Sequence, residues 1–196
     1  FTHQASRLAR CASPNLVRVI DGFEEGGFLY LVLEPVPGQT LADLMAETPL
    51  PPEATIFSFL RQLVPVLDRL HHEGIVHGAI TPHSLVVRED TGDLVLADIS
   101  LHALMLAQST ELDGAETSPA HAAAQFTPQH DIQATAAVVY SLLTGTFYTI
   151  EEWRSRFPAT NATLGSEDGM SQDIVFQAEL HTELQRHRPH LPAMVS

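Results

Sequence analysis

Gly74-Ile75-Val76-His77-Gly78-Ala79-Ile80-Thr81-Pro82-His83-Ser84-Leu85-Val86-Val87 joins the end of a helix to the start of a strand through a short loop. Gly74 follows His71-His72-Glu73 and is a natural C-terminal cap, because glycine enters left-handed backbone without a Cβ penalty. Leu85-Val86-Val87 is apolar and rich in β-branched residues, as a short strand requires. Upstream, Pro51-Pro52-Glu53 opens a long helix, with proline tolerated in its first turn. Its apolar stripe is Ile56, Phe57, Leu60, Leu63, Leu67 and Leu70. Downstream, the turn Glu89-Asp90-Thr91-Gly92-Asp93 leads into a second short strand, Leu94-Val95-Leu96.

Further out, Phe1, Ala5, Leu8, Ala9 and Ala12 recur at helical spacing, and Ser13-Pro14-Asn15 breaks that helix. Leu16 to Ile20 and Phe28 to Leu33 read as two strands of a hairpin, turned at Glu24-Glu25-Gly26-Gly27. Pro35-Val36-Pro37-Gly38 is an extended linker, and Thr40 caps a short helix through Met45. From Asp98 to about His130 the pattern weakens to a long loop with helical pieces. Asp131 to Leu143 is a helix apolar nearly all round, hence buried, and Gly145 stops it. Ile150 to Phe157 is a short helix and Ser171 to Arg186 the last clear one.

At 196 residues the chain can bury a full core without staples. Cys11 is the single cysteine, which excludes an internal disulfide and any multi-cysteine zinc site. Twenty-four acids face ten bases, a net charge of −14, so phosphate backbones and anionic lipids are repelled. All ten bases are arginine. Mechanisms that need a lysine from these residues are closed. No apolar run reaches the length of a membrane span, and the N-terminus lacks a signal-peptide pattern. The chain does not begin with Met, which suggests a piece of something longer. The late histidines His181, His187 and His190 are spaced by six and three, which does not match helical metal ligation, and Asn161-Ala162-Thr163 reads as a chance sequon.

The stretch from Gly74 to Val87 resembles the catalytic loop of eukaryotic-type protein kinases, HRDxKPxN followed by a strand. The likeness extends along nearly the whole chain. Leu29 to Glu34 resembles the strand entering the hinge, with Leu33 at the gatekeeper position, and Val36-Pro37-Gly38-Gln39-Thr40-Leu41 the hinge exit. Leu96-Ala97-Asp98-Ile99-Ser100 sits where DFG belongs, and Ser118-Pro119-Ala120 where the activation segment ends in APE. Asp131 begins a helix that resembles the lobe's central one, and Arg188 sits at the arginine that pairs with the APE glutamate. The first helix then falls on the regulatory helix, with Gln4 at its glutamate. The resemblance implies an α+β, protein kinase-like fold: a mainly helical C-lobe with a partial N-lobe of regulatory helix and hairpin, the first N-lobe strands being absent. It divides the chain into residues 1–34 and 35–196, and makes it similar to bacterial Ser/Thr kinases in degenerate form.

By the same resemblance, Ala79 replaces the catalytic base, Thr81 the catalytic-loop lysine and Ser84 the metal-binding asparagine. Gly78 replaces the arginine that receives an activation-segment phosphate, so phosphorylation at Thr110, Thr117 or Ser118 lacks a receiver. Asp98 remains as a weak magnesium ligand, and Leu33, Glu34, Val36 and Val86 as a vestigial nucleotide site. His77 is expected as a hydrogen-bonded core histidine, part of an apolar column with Leu8, Val19 and Ile99 anchored on Asp131. Ala120 leaves Arg188 to be solvated or paired elsewhere. These departures imply a pseudokinase rather than an enzyme, a protein-binding scaffold or regulatory module in the cytoplasm. The alternatives are a weak nucleotide-binding sensor or an unconventional ATP-dependent protein Ser/Thr kinase. The expected cofactors are none beyond weak ATP and magnesium. The expected partners are a protein or other domains of a larger polypeptide, with no nucleic acid and no direct membrane insertion.

Overall fold

Two consecutive glycines set the first turn. In the computed structural model, which describes residues 7–48, 50–99, 127–156 and 186–187, Gly26 and Gly27 adopt φ of 60° and 80°. Positive φ at both central residues is the two-residue hairpin turn whose twist matches its flanking strands. Strands β1 (Val19–Glu25) and β2 (Phe28–Leu33) therefore pair up to Glu25↔Phe28, with a register irregularity between Val19 and Asp21. Glu24 and Glu25, expected in the turn, belong to the strand, because the glycines alone supply the reversal. The strand expected to begin at Leu16 starts later. Leu16 instead forms a parallel bridge to Leu96, the Val17 N–H donates to the Leu96 carbonyl, and the Leu96 N–H donates to the Asn15 carbonyl.

Asn15 also donates through Nδ2 to the Gln62 Oε1 and to the Leu94 carbonyl, which ties this segment to the long helix and the second sheet. Ahead of it, residues 7–10 are helical, and Leu8 and Cys11 are buried in the core. Arg10 meets Glu73 at 2.8 Å and Arg69 donates to the Ala12 carbonyl, so this turn is held against the end of the long helix. The earlier part of the expected first helix, with Phe1 and Gln4, lies outside the described residues.

The second sheet has the order β3-β4-β5, from β3 (Gly38–Thr40), β4 (Leu85–Arg88) and β5 (Leu94–Leu96), all antiparallel. The linker thus ends at Pro37, and Gly38 is already paired with Arg88. Helix α1 (Leu41–Glu47) starts on a capping box: Thr40 accepts from the Asp43 N–H, and Asp43 accepts from the Thr40 N–H. Helix α2 (Glu53–His72) buries Ile56, Phe59, Leu63, Val66, Leu67 and Leu70. Phe57, expected in the stripe, is 59% exposed, and Phe59 and Val66 take the inner positions. Two neighbouring stripes both satisfy helical spacing, and packing against β5 and α3 (Pro128–Thr144) selects between them.

Helix α3 starts three residues before the expected Asp131, with Thr127 as N-cap and Pro128 inside its first turn. It is buried on most sides, as its composition requires, and Gly145 ends it in left-handed backbone at φ 70°. Helix α4 (Ile150–Arg156) follows, with Trp153 buried against Ala137 and Tyr140 of α3. Ser118 to Ala120, Thr110, Thr117, Asn161, His181, Arg188 and His190, and the expected helix from Ser171 except Arg186, lie outside the described residues.

Gly38 has a steric role at the β3–β4 pair. A Cβ there would overlap the Val87 carbonyl oxygen and sit 3.0 Å from Val86 Cγ1. Overpacking of this kind costs about 1–3 kcal/mol. Gly38→Ala is expected to lower unfolding free energy by that amount in urea denaturation, whereas Gly92→Ala meets no neighbouring atom and is opposed only by its φ of 72°.

Candidate functional site

The loop between α2 and β4 is held from outside as well as by its own side chains. Asp131 supplies the outside hold. Its carboxylate is fully buried at the start of α3. Oδ2 accepts from the His77 N–H at 2.9 Å and from His71 Nε2 at 2.8 Å, and Oδ1 accepts from the Gly78 N–H at 2.8 Å. A buried carboxylate is tolerated when hydrogen bonds surround it, and such charge-assisted bonds are among the strong ones. Gly78 adopts φ 74°, a conformation that favours glycine, so the backbone turns here to present both N–H groups to one carboxylate.

His77 then passes the constraint on. It is 2% exposed, Nε2 donates to the Asp98 carbonyl at 2.6 Å, and Nδ1 accepts from the Ala79 N–H at 3.3 Å. Those two bonds assign the ring proton to Nε2, and the ring fills the hydrogen-bonded core place expected for it. Leu8 and Ile99 lie in the same core, with Val19 half-buried against it. Ser84 is also buried. Its Oγ donates to the Thr81 carbonyl at 2.9 Å and accepts from the Thr81 N–H at 3.0 Å, and its carbonyl accepts from the Ala97 N–H. Through His77 and Ser84 the segment Ala97–Asp98 is bonded to the loop that carries Ala79. Ala79, Thr81 and the Asp98 side chain are exposed.

A cavity of about 580 Å³ opens beside this loop, lined by Gly78 to Pro82, by His130 and Ala134 of α3, and by Tyr148, Glu151 and Arg154. Glu34 and Val36 line a different cavity of about 420 Å³, with Pro14, Val17, Arg18 and Arg88. Leu33, Val86 and Asp98 line neither. Val36 is half-buried against the core, Leu33 pairs with Val19, and Val86 pairs with Thr40 and Val95. Gln4 lies outside the described residues. Asp98 carries one exposed carboxylate and Ser84 a hydroxyl committed to Thr81. Of these two, only the Asp98 carboxylate is left to meet a magnesium ion, which would need water and phosphate for the rest of its shell. Among the described residues no group of three or more His, Cys, Asp or Glu is arranged to hold a metal by itself.

Two residues of the cavity escaped the sequence reading. Arg154 donates from Nε to Gln133 Oε1 at 2.9 Å and approaches His130 Nδ1 through Nη2 at 2.9 Å. Burial, then Arg154, push His130 below the ordinary histidine value, against Asp131, Glu151 and a hydrogen bond to the Gly78 backbone. Only the position of His130 next to Asp131 signalled it, since its partner is 24 residues away in sequence.

Residues 2–180 match the family described as Protein kinase domain. Among curated proteins, the chain is 33% identical over 153 residues to the serine/threonine-protein kinase PknL of Mycobacterium tuberculosis, covering 74% of this chain and 38% of that protein. It is 30% identical over 160 residues to serine/threonine-protein kinase B of Synechocystis, covering 74% and 28%. The kinase domain of Mycobacterium tuberculosis PknI superposes with a TM-score of 0.57 at 18% identity, over 81% of this chain and 64% of that one. That likeness shows the protein kinase-like fold. The chain spans less than two fifths of the length of these curated relatives. The expectation that the chain is not an enzyme is overturned: the matching domain and the relatives' names point to a kinase. Among the described residues no helix is long and apolar enough to cross a membrane.

Replacing Asp131 with alanine strands the His77 and Gly78 N–H groups, at about 1–3 kcal/mol each. Asp131→Ala is expected to lose that stability in urea denaturation. His130 titrates lower in the folded chain than in the unfolded one, where histidine has its usual value of about 6.5. Its contribution is therefore complete above that value and is lost as the pH falls through it. The drop in Tm between about pH 7.5 and about pH 5.5 is expected to be smaller in His130→Asn than in the unaltered protein.

Proposed function

The chain belongs to the protein kinase family, and on that premise we propose that it forms part of an ATP-dependent protein serine/threonine kinase with an unconventional catalytic loop. Residues 1–34 would contribute to the upper lobe and residues 35–196 form the lower one. The observation that carries this reading is the anchoring of the loop backbone on Asp131, continued through His77 to Asp98. A loop held this rigidly suits a reaction in which positioning and charge neutralisation outweigh covalent chemistry.

In this reading the substrate hydroxyl lies beside Ala79 and forms the new bond to phosphorus as the bond to ADP breaks. Ala79 cannot take the hydroxyl proton, which passes to water or to an oxygen of the transferred group. General-base assistance is worth roughly 10²–10⁴-fold, so its loss slows the transfer without closing it. Asp98 would hold the magnesium ion that, when bound, neutralises charge on the phosphates. Ser84 holds the loop rather than the metal, because its hydroxyl is occupied by Thr81. The chain contains no lysine, so any ammonium that grips the phosphates comes from outside these residues. The partners implied are proteins, and the strong negative charge disfavours nucleic acid.

The test is radiolabelled γ-phosphate transfer with the full-length protein, ATP and magnesium or manganese. Ala79→Asp is expected to raise turnover by roughly 10²-fold or more, and Asp98→Ala to remove it. Transfer by neither the unaltered protein nor Ala79→Asp would overturn the reading, and ATP binding without transfer in calorimetry would replace it with a sensor.

A further inference from the structure

Arg154 is half-buried, yet among the described residues no carboxylate lies within ion-pair distance of its guanidinium. Its bonds are to the neutral acceptor Gln133 and to His130, whose imidazole stays uncharged at neutral pH through burial and through Arg154 itself. Of the five N–H donors of a guanidinium, these two bonds occupy two. A cation so placed is unusual in a chain of net charge −14. It lines the cavity of about 580 Å³, a size typical of ligand sites, which the loop at Gly78 to Pro82 also lines.

Several contacts tie this wall to the rest of the fold. Trp153, the neighbour of Arg154, is buried against α3. The Tyr148 N–H donates to the buried Ser141 Oγ, and the Tyr140 and Tyr148 rings pack at 5.0 Å between centroids. The His83 and Phe147 rings approach at 5.9 Å between centroids, between the loop after Ala79 and the segment after α3. Glu151 is the opposing charge in the cavity. It is exposed, where water screens it, whereas Arg154 is half-buried and already ordered by two bonds. Arg154 is therefore the more buried of the two charged side chains that line the cavity.

We propose that this cavity selects peptide substrates carrying an anionic side chain close to the target serine or threonine, with Arg154 as the specificity-determining residue. The nature of the ligand rests on the transferase reading above. A peptide presenting its hydroxyl at Ala79 has its adjoining residues beside the cavity, and a guanidinium with donors to spare matches a carboxylate or phosphoryl group.

The test measures binding rather than turnover. Fluorescein-labelled peptides with a central serine flanked by glutamates, or by glutamines at the same places, are titrated with the full-length protein and followed by anisotropy. The glutamate peptide is expected to bind about tenfold tighter, the gain of a single charge-assisted pair. Arg154→Gln is expected to abolish that preference while leaving the glutamine peptide's affinity unchanged. Glu151→Gln, at an exposed position, is expected to tighten the glutamate peptide severalfold and serves if Arg154→Gln does not fold. Equal binding of both peptides by the unaltered protein, or a preference that survives Arg154→Gln, overturns the inference even if phosphate is transferred. A preference that disappears with Arg154 supports it, and absence of transfer alongside that result counts only against the transferase reading.

Discussion

A single buried carboxylate organises the lower half of the molecule. Asp131 takes two backbone N–H groups of the loop and one imidazole nitrogen of α2, so three separate stretches of chain converge on one charge. A carboxylate buried this deeply would be expensive if any of those donors were lost, and that penalty makes the loop conformation specific. His77 extends the same network to the Asp98 carbonyl, so the position of the surviving acid depends on a residue 33 places further along the chain.

The resemblance leads one to expect a base, a cation and an amide at Ala79, Thr81 and Ser84; these side chains carry none of the three, while the loop backbone is held by Asp131. The Ser84 hydroxyl closes a turn with Thr81 and so stabilises the loop. Loss of a base lowers a phosphoryl-transfer rate by a bounded factor, because such transfers depend chiefly on position and charge. Degenerate motifs therefore do not by themselves amount to inactivity, which is why the kinase relatives overturn the expectation of a non-enzyme.

Part of the fold was legible in the chain because local chemistry dictated it. Thr40 and Asp43 specify a capping box, Gly145 a helix stop and the composition of α3 a buried helix, and each needs only near neighbours in sequence. Other features were not legible. Glu24 and Glu25 are strand residues because two following glycines complete the turn unaided. Phe57 and Phe59 are both compatible with an amphipathic α2, and only the packed sheet and α3 choose which is inside. The pairing of Arg154 with Gln133 and His130 crosses more than twenty residues and leaves no periodic trace.

By itself the sequence determined the family, through ordered motifs whose spacing survives substitution, and it determined the absence of lysine chemistry from these residues. The resemblance also placed His77 among the core residues, and the structure buries it there with both ring nitrogens hydrogen-bonded. The tertiary structure decided which cavity the loop lines, that Ser84 is spent on its own turn, and that a half-buried arginine lines the same cavity with no carboxylate at ion-pair distance among the described residues. The physical reason is range. Caps, turns and amphipathic stripes are set by neighbours within a few residues, whereas electrostatic partners and cavity walls come from segments that only packing brings together.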